Sequence, residues 1–315
     1  MNAQFKADVD SGLSADKKRL SSMYFYDKKG DELFMQIMAL PEYYLTRAEL
    51  EIFTEQTSEV IDALEVKKEQ YFELIELGAG DGSKTKFLLQ RLLTEGYDFD
   101  YMPIDISGNV LSHLENKLNQ EMPSLSIKTQ QGDYFKKLED LKDSHHPKVV
   151  LFLGSNIGNM TDEKAGQFIY NLGKSLAKGD KLLLGVDMIK AEEIVRPAYD
   201  DSQGITSAFN MNLLDRINKE LGGDFDLEQF IHAPEYTKEE GIAKSYLQSK
   251  TAQSVSISSI GKTYQFDQGE KIHMEISRKY NDEIMHKIIK KTDFKVINKL
   301  TDKKQFFSDY VLERF

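Results

Sequence analysis

The chain contains no cysteine, which excludes disulfides, thiolate metal sites and cysteine nucleophiles together. It lacks any apolar run near the ~20 residues of a membrane-spanning helix, and Met1-Asn-Ala-Gln-Phe-Lys-Ala-Asp does not open a secretory signal. An excess of cations is missing as well: 52 Asp and Glu outnumber 41 Lys and Arg, for a net charge of −11. Sequence-independent nucleic-acid binding needs cations to replace phosphate counterions, so this balance speaks against it. The six histidines show no ligand spacing with clustered acids, so no metal is expected. What is present is 315 residues, 40% hydrophobic, enough for one large domain or two coupled ones. A soluble, acidic, cytoplasmic globular protein is expected.

The first 65 residues read as helical. Leu33, Phe34, Ile37 and Met38 recur at helical spacing until Pro41, and Thr46 is positioned to cap a second helix. From Tyr71 the rhythm changes to strands alternating with helices. Strands are predicted at 72–77, 98–105, 126–129, 149–153 and 181–186. Val149-Val-Leu-Phe-Leu is a continuous apolar run of the kind buried on both faces of a parallel sheet. Helices are predicted from Lys84, Asn109 and Thr161, the last capped by its threonine with Asp162 and Glu163 in the first turn. This alternation predicts a doubly wound α/β sheet.

The pattern breaks after Asp187. Residues 190–280 mix one helix, Met211 to Leu221, with β-rich stretches at 243–251 and 254–259. A helix from Asp282 and two strands then resume the first rhythm. The predicted organisation is a core of residues 66–189 plus 281–315, and an α+β substrate lobe of residues 1–65 plus 190–280 that closes over a small molecule.

The glycine segment Glu76-Leu-Gly78-Ala-Gly80-Asp-Gly82-Ser-Lys84-Thr85 follows a strand and precedes a helix. A phosphate-binding P-loop requires Gly directly before the Lys, where Ser83 stands. A dinucleotide fingerprint requires its third glycine one residue later than Gly82, and its pyrophosphate would meet Asp81. S-adenosylmethionine carries a sulfonium and an ammonium and no phosphate, so Glu76 and Asp81 favour it. Asp105, at the end of the second strand, is placed to hold ribose hydroxyls. Gly132-Asp133-Tyr134, after the third strand, is placed to contact the adenine. A methyltransferase is the reading these residues support.

The acceptor comes next. Methylases of exocyclic amines in nucleic acids carry an Asn/Asp-Pro-Pro-Tyr/Phe motif after the fourth strand, and this chain has Gly154-Ser-Asn-Ile-Gly-Asn159 there. A small molecule fits better than a nucleic acid. Tyr26-Asp, Leu40-Pro-Glu-Tyr-Tyr-Leu-Thr-Arg, Glu76-Leu-Gly-Ala-Gly, Leu153-Gly-Ser-Asn-Ile-Gly-Asn and Ala198-Tyr-Asp-Asp occur in order along the chain. Thr206-Ser-Ala-Phe-Asn, Lys250-Thr-Ala-Gln and Glu275-Ile-Ser follow. Together they resemble the histidine-specific Nα-methyltransferases of ergothioneine biosynthesis, over nearly the whole length.

The resemblance implies a Rossmann-like class I methyltransferase core and a reaction that converts L-histidine to trimethylhistidine (hercynine). It implies cofactor contacts at Gly78, Lys84, Asp105, Asp133 and Tyr134, with Glu76, Gly80 and Gly154 in the same motifs. Tyr43, Asn159 and Tyr199 match positions that hold the amino acid's carboxylate and amine. Tyr26 matches a tyrosine near the amine, Phe34 an aromatic at the methyl-transfer site, and Thr206 a further pocket residue. Glu275 and Ser277 match the pair that grips the imidazole. Period-2 geometry places those two side chains on one face of a strand. Imidazole needs polar partners at both ring nitrogens, which a carboxylate and a hydroxyl supply.

One position departs from the pattern. The family's histidine enzymes carry Met where this chain has Ser245, so the side-chain end of the pocket gains room or water. Another free amino acid, such as a tryptophan derivative, therefore stays open as the acceptor. A cofactor-binding protein without turnover is the alternative from a different class.

Overall fold

Four helices open the chain: α1 (Asn2–Leu13), α2 (Lys28–Ala39), α3 (Tyr44–Glu55) and α4 (Thr57–Leu64). Strands and helices then alternate: β1 (Phe72–Leu77), α5 (Thr85–Thr94), β2 (Phe99–Asp105), α6 (Gly108–Glu121), β3 (Ser126–Ile127), β4 (Gln130–Gln131) and α7 (Tyr134–Asp140). The series continues with β5 (Lys148–Phe152), α8 (Asp162–Gly173) and β6 (Lys181–Asp187). Next come α9 (Glu192–Val195), α10 (Ile205–Leu221), β7 (Phe230–His232), β8 (Ile242–Ser249), β9 (Gln253–Ile257), β10 (Lys262–Phe266) and β11 (Lys271–Arg278). The chain closes with α11 (Asp282–Ile289), β12 (Phe294–Thr301) and β13 (Phe307–Arg314). This computed structural model describes residues 2–142 and 144–315. Met1 and Asp143, each inside one of the expected segments, lie outside the described residues.

Two compact units emerge, one of residues up to 44 with 190–278, the other of 45–189 with 279–315. The second is the α/β unit. Its sheet runs β12-β13-β6-β5-β1-β2-β3, with β4 also paired to β2. β1, β2, β5 and β6 pair in parallel, and β13 runs antiparallel to both neighbours. The order reverses beside β1, the point at which doubly wound sheets open a crevice at their carboxyl ends. β1, β5 and β6 are buried along their whole length, as the continuous apolar run predicts for β5.

Some local expectations shift. The sequence boundary at residue 65 falls instead at 44, because α3 and α4 bury Ile52, Phe53, Val60, Ile61 and Leu64 against Phe72, Leu74 and Leu88 of the sheet layer. Lys279 and Tyr280 also belong here. Lys279 pairs with Asp187 at 2.7 Å with both side chains fully buried, and Tyr280 donates its hydroxyl to the Ile157 carbonyl. Thr46 does not cap α3, which already begins at Tyr44. The predicted third strand divides into β3 and β4, and both pair with β2. Thr161 does cap α8, accepting from the Lys164 N–H at 3.3 Å.

The other unit packs α1, α2 and α10 on a three-stranded antiparallel sheet, β11-β8-β7, beside the β9–β10 hairpin. Its core joins Phe5, Phe25, Phe209, Leu213, Leu247, Phe266 and Ile272. α10 starts six residues before the predicted Met211, because Asp201 gathers its first N–H groups. Among the described residues no helix is long and apolar enough to cross a membrane. None forms a group of three His, Asp or Glu that could hold a metal ion.

Candidate active site

In the α/β unit the glycine loop leaves β1 and enters α5. Gly78 has φ 70°, a conformation that favours glycine, and a Cβ there would stand 2.8 Å from the Tyr134 hydroxyl, so a side chain would strain the backbone and push that hydroxyl aside. Gly80 is exposed at the loop's tip. Glu76, expected to face a ligand, is instead fully enclosed. It accepts from Thr85 Oγ1 at 2.8 Å and from the Tyr101 hydroxyl at 2.5 Å. Burial raises its pKa to about 7 against those two hydrogen bonds. Its carboxyl therefore fastens β1 to β2 and to the first turn of α5, which holds the loop's two ends.

Asp105 ends β2 and accepts from the Ser107 N–H at 2.9 Å. Burial pushes its carboxyl above the usual range, against the Ser107 and Ile106 N–H groups. The neighbouring Ile106 is 76% exposed, an apolar surface beside the acid that charge and spacing did not single out. Asp133 is the N-cap of α7, accepting from Phe135 and Lys136 N–H at 3.1 and 3.2 Å. Both capping bonds go to Oδ1, a structural duty beside the adenine contact expected of this residue. Tyr134 follows, its hydroxyl raised to about 12 by burial and then by Asp105 and Asp133. After β5, Gly154 and Ser155 both take left-handed φ, 73° and 57°. Ser155 Oγ accepts from the Asp187 N–H at 3.0 Å, which supports that costly turn. Asn159 ends the same turn and is exposed.

Lys84 is paired with Glu49 of α3, which also accepts from the Gly154 N–H at 2.8 Å. Burial lowers the lysine's pKa, but the Glu49 charge and hydrogen bond, joined by the Glu76 and Asp309 charges, together outweigh it and the net shift is upward. Glu49 escaped the sequence reading, since nothing in a glycine motif calls for a carboxylate on an upstream helix.

The remaining expected residues all lie in the other unit. β8 and β11 pair antiparallel, and the register slips between His273 and Glu275, leaving Met274 without a partner. This β-bulge reverses the alternation. Ile272 faces Leu247 before it, while Glu275 faces Ser245 and Ser277 faces Ala243 after it. Leu247, Ser245 and Ala243 are the buried positions of β8, so the bulge brings Glu275 and Ser277 to that same face. Tyr199 donates its hydroxyl to Ser277 Oγ at 2.9 Å.

Nearby in chain order, Asp27 caps α2 through the Gly30 N–H at 2.7 Å and accepts from Asn212 of α10 at 2.8 Å. That ties down Tyr26 and Phe34, whose rings meet edge-on at 5.6 Å. Phe209 lies 5.8 Å from each, and Tyr43 lies 6.5 Å from Phe34. Tyr26 is 45% exposed. Desolvation of its hydroxyl, then the Glu275 carboxylate, keep it protonated far above the ordinary phenol range. Thr206 sits in the first turn of α10 and donates its N–H to Asp201 at 2.7 Å. One turn on, Asn210 donates to the Thr206 carbonyl at 3.0 Å, while its buried Oδ1 has no partner among the described residues. Two surface cavities of this unit, about 280 and 460 Å³, are lined by groups around His232 and His273 and include none of the expected residues.

Comparison with known proteins gives consistent relatives. The profile of the family described as histidine-specific methyltransferase, SAM-dependent, matches residues 5–314. A histidine N-alpha-methyltransferase of Mycobacterium tuberculosis is 38% identical over 276 residues, 87% of this chain and 84% of its own length. That of Mycolicibacterium smegmatis is 36% identical over 278 residues, covering 88% and 85%. Ergothioneine biosynthesis protein 1 of Schizosaccharomyces pombe is 30% identical over 303 residues, 94% of this chain but 39% of its own.

Proposed function

This chain belongs to the SAM-dependent, histidine-specific methyltransferases, and from that premise we propose that it methylates the α-amino nitrogen of L-histidine up to trimethylhistidine, the first step of ergothioneine biosynthesis. The observation that carries the choice of acceptor is the register of β8 and β11. It sets Glu275 and Ser277 on one buried face with Ser245, and Tyr199 on Ser277. A carboxylate beside a hydroxyl suits the two nitrogens of an imidazole, and the half-buried Glu275 with the buried Ser277 disfavours side chains that leave them unmatched. The setting in this reading is the cytoplasm, with small molecules as the partners.

The residues of the α/β unit fit S-adenosylmethionine. The left-handed turn at Gly78 favours glycine, Asp105 offers a carboxylate for ribose hydroxyls, and Ile106 offers an apolar face for a base. Lys84, which could have favoured a phosphate, is already paired with Glu49. When bound, S-adenosylmethionine supplies its sulfonium methyl group. The chain's own contribution is to hold the amine neutral and aligned, since orientation accounts for much of the rate advantage in such displacements. Tyr26 keeps its proton, so it offers a neutral hydrogen-bond partner that does not trap an ammonium. Tyr43, Asn159 and Tyr199 would hold the carboxylate and amine. The amine must release a proton to solvent between successive transfers, and after the third it has none to lose.

Incubating the purified protein with S-adenosylmethionine and the twenty pooled amino acids, followed by mass spectrometry, tests the reading. Histidine alone should gain three CH₂ units. Methylation of a different amino acid would keep the chemistry and overturn the acceptor. No methylated product despite cofactor binding would overturn the enzyme reading for this pool.

A further inference from the structure

Glu49 lies on α3 and its side chain is 1% exposed. Both of its oxygens reach the Gly154 N–H, at 2.8 and 3.1 Å, and one of them carries the Lys84 ammonium. A single buried carboxylate thus joins the turn after β5 to the residue that precedes α5. Asp309 of β13 lies against it, fully buried, and neither of its carboxyl oxygens has a hydrogen-bond partner among the described residues. Burial, then the Glu49 charge, hold the Asp309 carboxyl protonated well above the usual carboxylate range. Glu49, in direct contact, is the nearest countercharge to Lys84. Gly185 of β6 makes the space. A Cβ there would stand 2.4 Å from Glu49 Oε1 and 2.9 Å from Asp309 Oδ1.

We propose that Glu49 is a positioning residue for the cofactor: it fixes Lys84 and the Gly154 turn in advance and cancels the lysine's charge, so that a ligand bearing a sulfonium and an ammonium meets no bare cation. This rests on the reading that the glycine loop and Gly154 receive S-adenosylmethionine. An unpaired buried charge is far costlier than a removed pair. Removing Glu49 alone should therefore harm binding more than removing Glu49 and Lys84 together.

The test is titration calorimetry of S-adenosylmethionine into wild type, Glu49→Gln, Lys84→Met and the double variant, with melting temperatures measured alongside. Glu49→Gln should raise the cofactor Kd by about tenfold or more while histidine KM at saturating cofactor stays put. Adding Lys84→Met should recover at least about threefold of that loss in cofactor Kd, whereas a merely structural ion pair would show its coupling in the melting temperatures and leave Kd unmoved. A Glu49→Gln variant that binds within about twofold of wild type, or losses that simply add, overturns the assignment while leaving the function intact. A folded wild-type chain that binds no S-adenosylmethionine overturns the functional reading, and this assignment with it.

Discussion

The acids around the glycine loop and the polar residues of the β8–β11 face are held in opposite ways. Near the loop, Glu76, Glu49, Asp105 and Asp133 all accept hydrogen bonds from the protein itself. The loop is therefore shaped before any ligand arrives. In the other unit, Ser245, Glu275 and Ser277 are aligned by strand register, Ser277 also accepts from Tyr199, and one turn from Thr206 the buried Asn210 Oδ1 has no partner among the described residues. A buried acceptor without a donor carries an unpaid desolvation cost, which a ligand with a matching N–H can relieve. Hydrogen bonds from neighbouring loops and helices fix the first set, whereas strand register and the Tyr199–Ser277 bond fix the second.

The comparison breaks most sharply at Glu275. Glu275→Ala should lower kcat/KM for histidine by about 10³-fold, roughly 4 kcal/mol, because a polar imidazole nitrogen is left unmatched in a buried site. Cofactor affinity should stay nearly intact. Equal loss of both would erase the division of labour between the two regions.

Glu76 probes the prearranged side. Its carboxyl has a pKa near 7 when folded against 4.5 in the reference state. Between those values the unfolded chain has released a proton that the native chain keeps, so stability is greatest below pH 4.5 and drains away as pH rises through 7. The loss is worth ~3 kcal/mol at 1.36 kcal/mol per unit. Urea unfolding at pH 5 and pH 8 should show Glu76→Gln with a flatter pH dependence than wild type. Parallel dependences would remove Glu76 as the cause.

Asp105→Ala should be milder, raising the S-adenosylmethionine Kd by ~30-fold, about 2 kcal/mol for lost hydrogen bonds to a charged acceptor. Histidine KM, measured at saturating cofactor, should hold steady, and an unchanged Kd would take Asp105 out of the site. The smallest effect is expected from Ser245→Met, which fills space opposite Glu275. Competition between histidine and larger amino acids should move toward histidine by ~1 kcal/mol, the worth of a methylene or so of pocket volume. A shift toward the larger competitor would mean that Ser245 does not border the acceptor.

Much of this was legible because it is local. The glycine loop, Asp105 at a strand end and the Thr161 cap each lie within a few residues of the element they serve. Glu275 and Ser277 could be placed on one face from spacing alone, since alternation is a local rule. What escaped depends on distant chain segments. Glu49 reaches the loop from a helix that the sequence had assigned to the other unit, and only the packing of Ile52 and Phe53 against β1 reveals where it belongs. The cap that Asp133 makes for the helix beginning at Tyr134 was not read from the sequence either, although an Asp before a helix is a local signal for one. Thr46 resembled a cap because capping residues also occur inside first turns.

The bulge at Met274 makes the acceptor face depend on a count of residues as well as on their kinds. A strand stores orientation as parity, and one unpaired residue advances that parity by a single step for everything beyond it. Deleting Met274 would leave Glu275 and Ser277 in the chain and β8 unchanged. Either both carboxylate and hydroxyl would turn to the opposite side, or the strand would have to slide against its partner to restore them. Loss of this apolar residue would then mimic loss of the two polar ones, and an alignment that scored residue types while tolerating a gap here would overlook it.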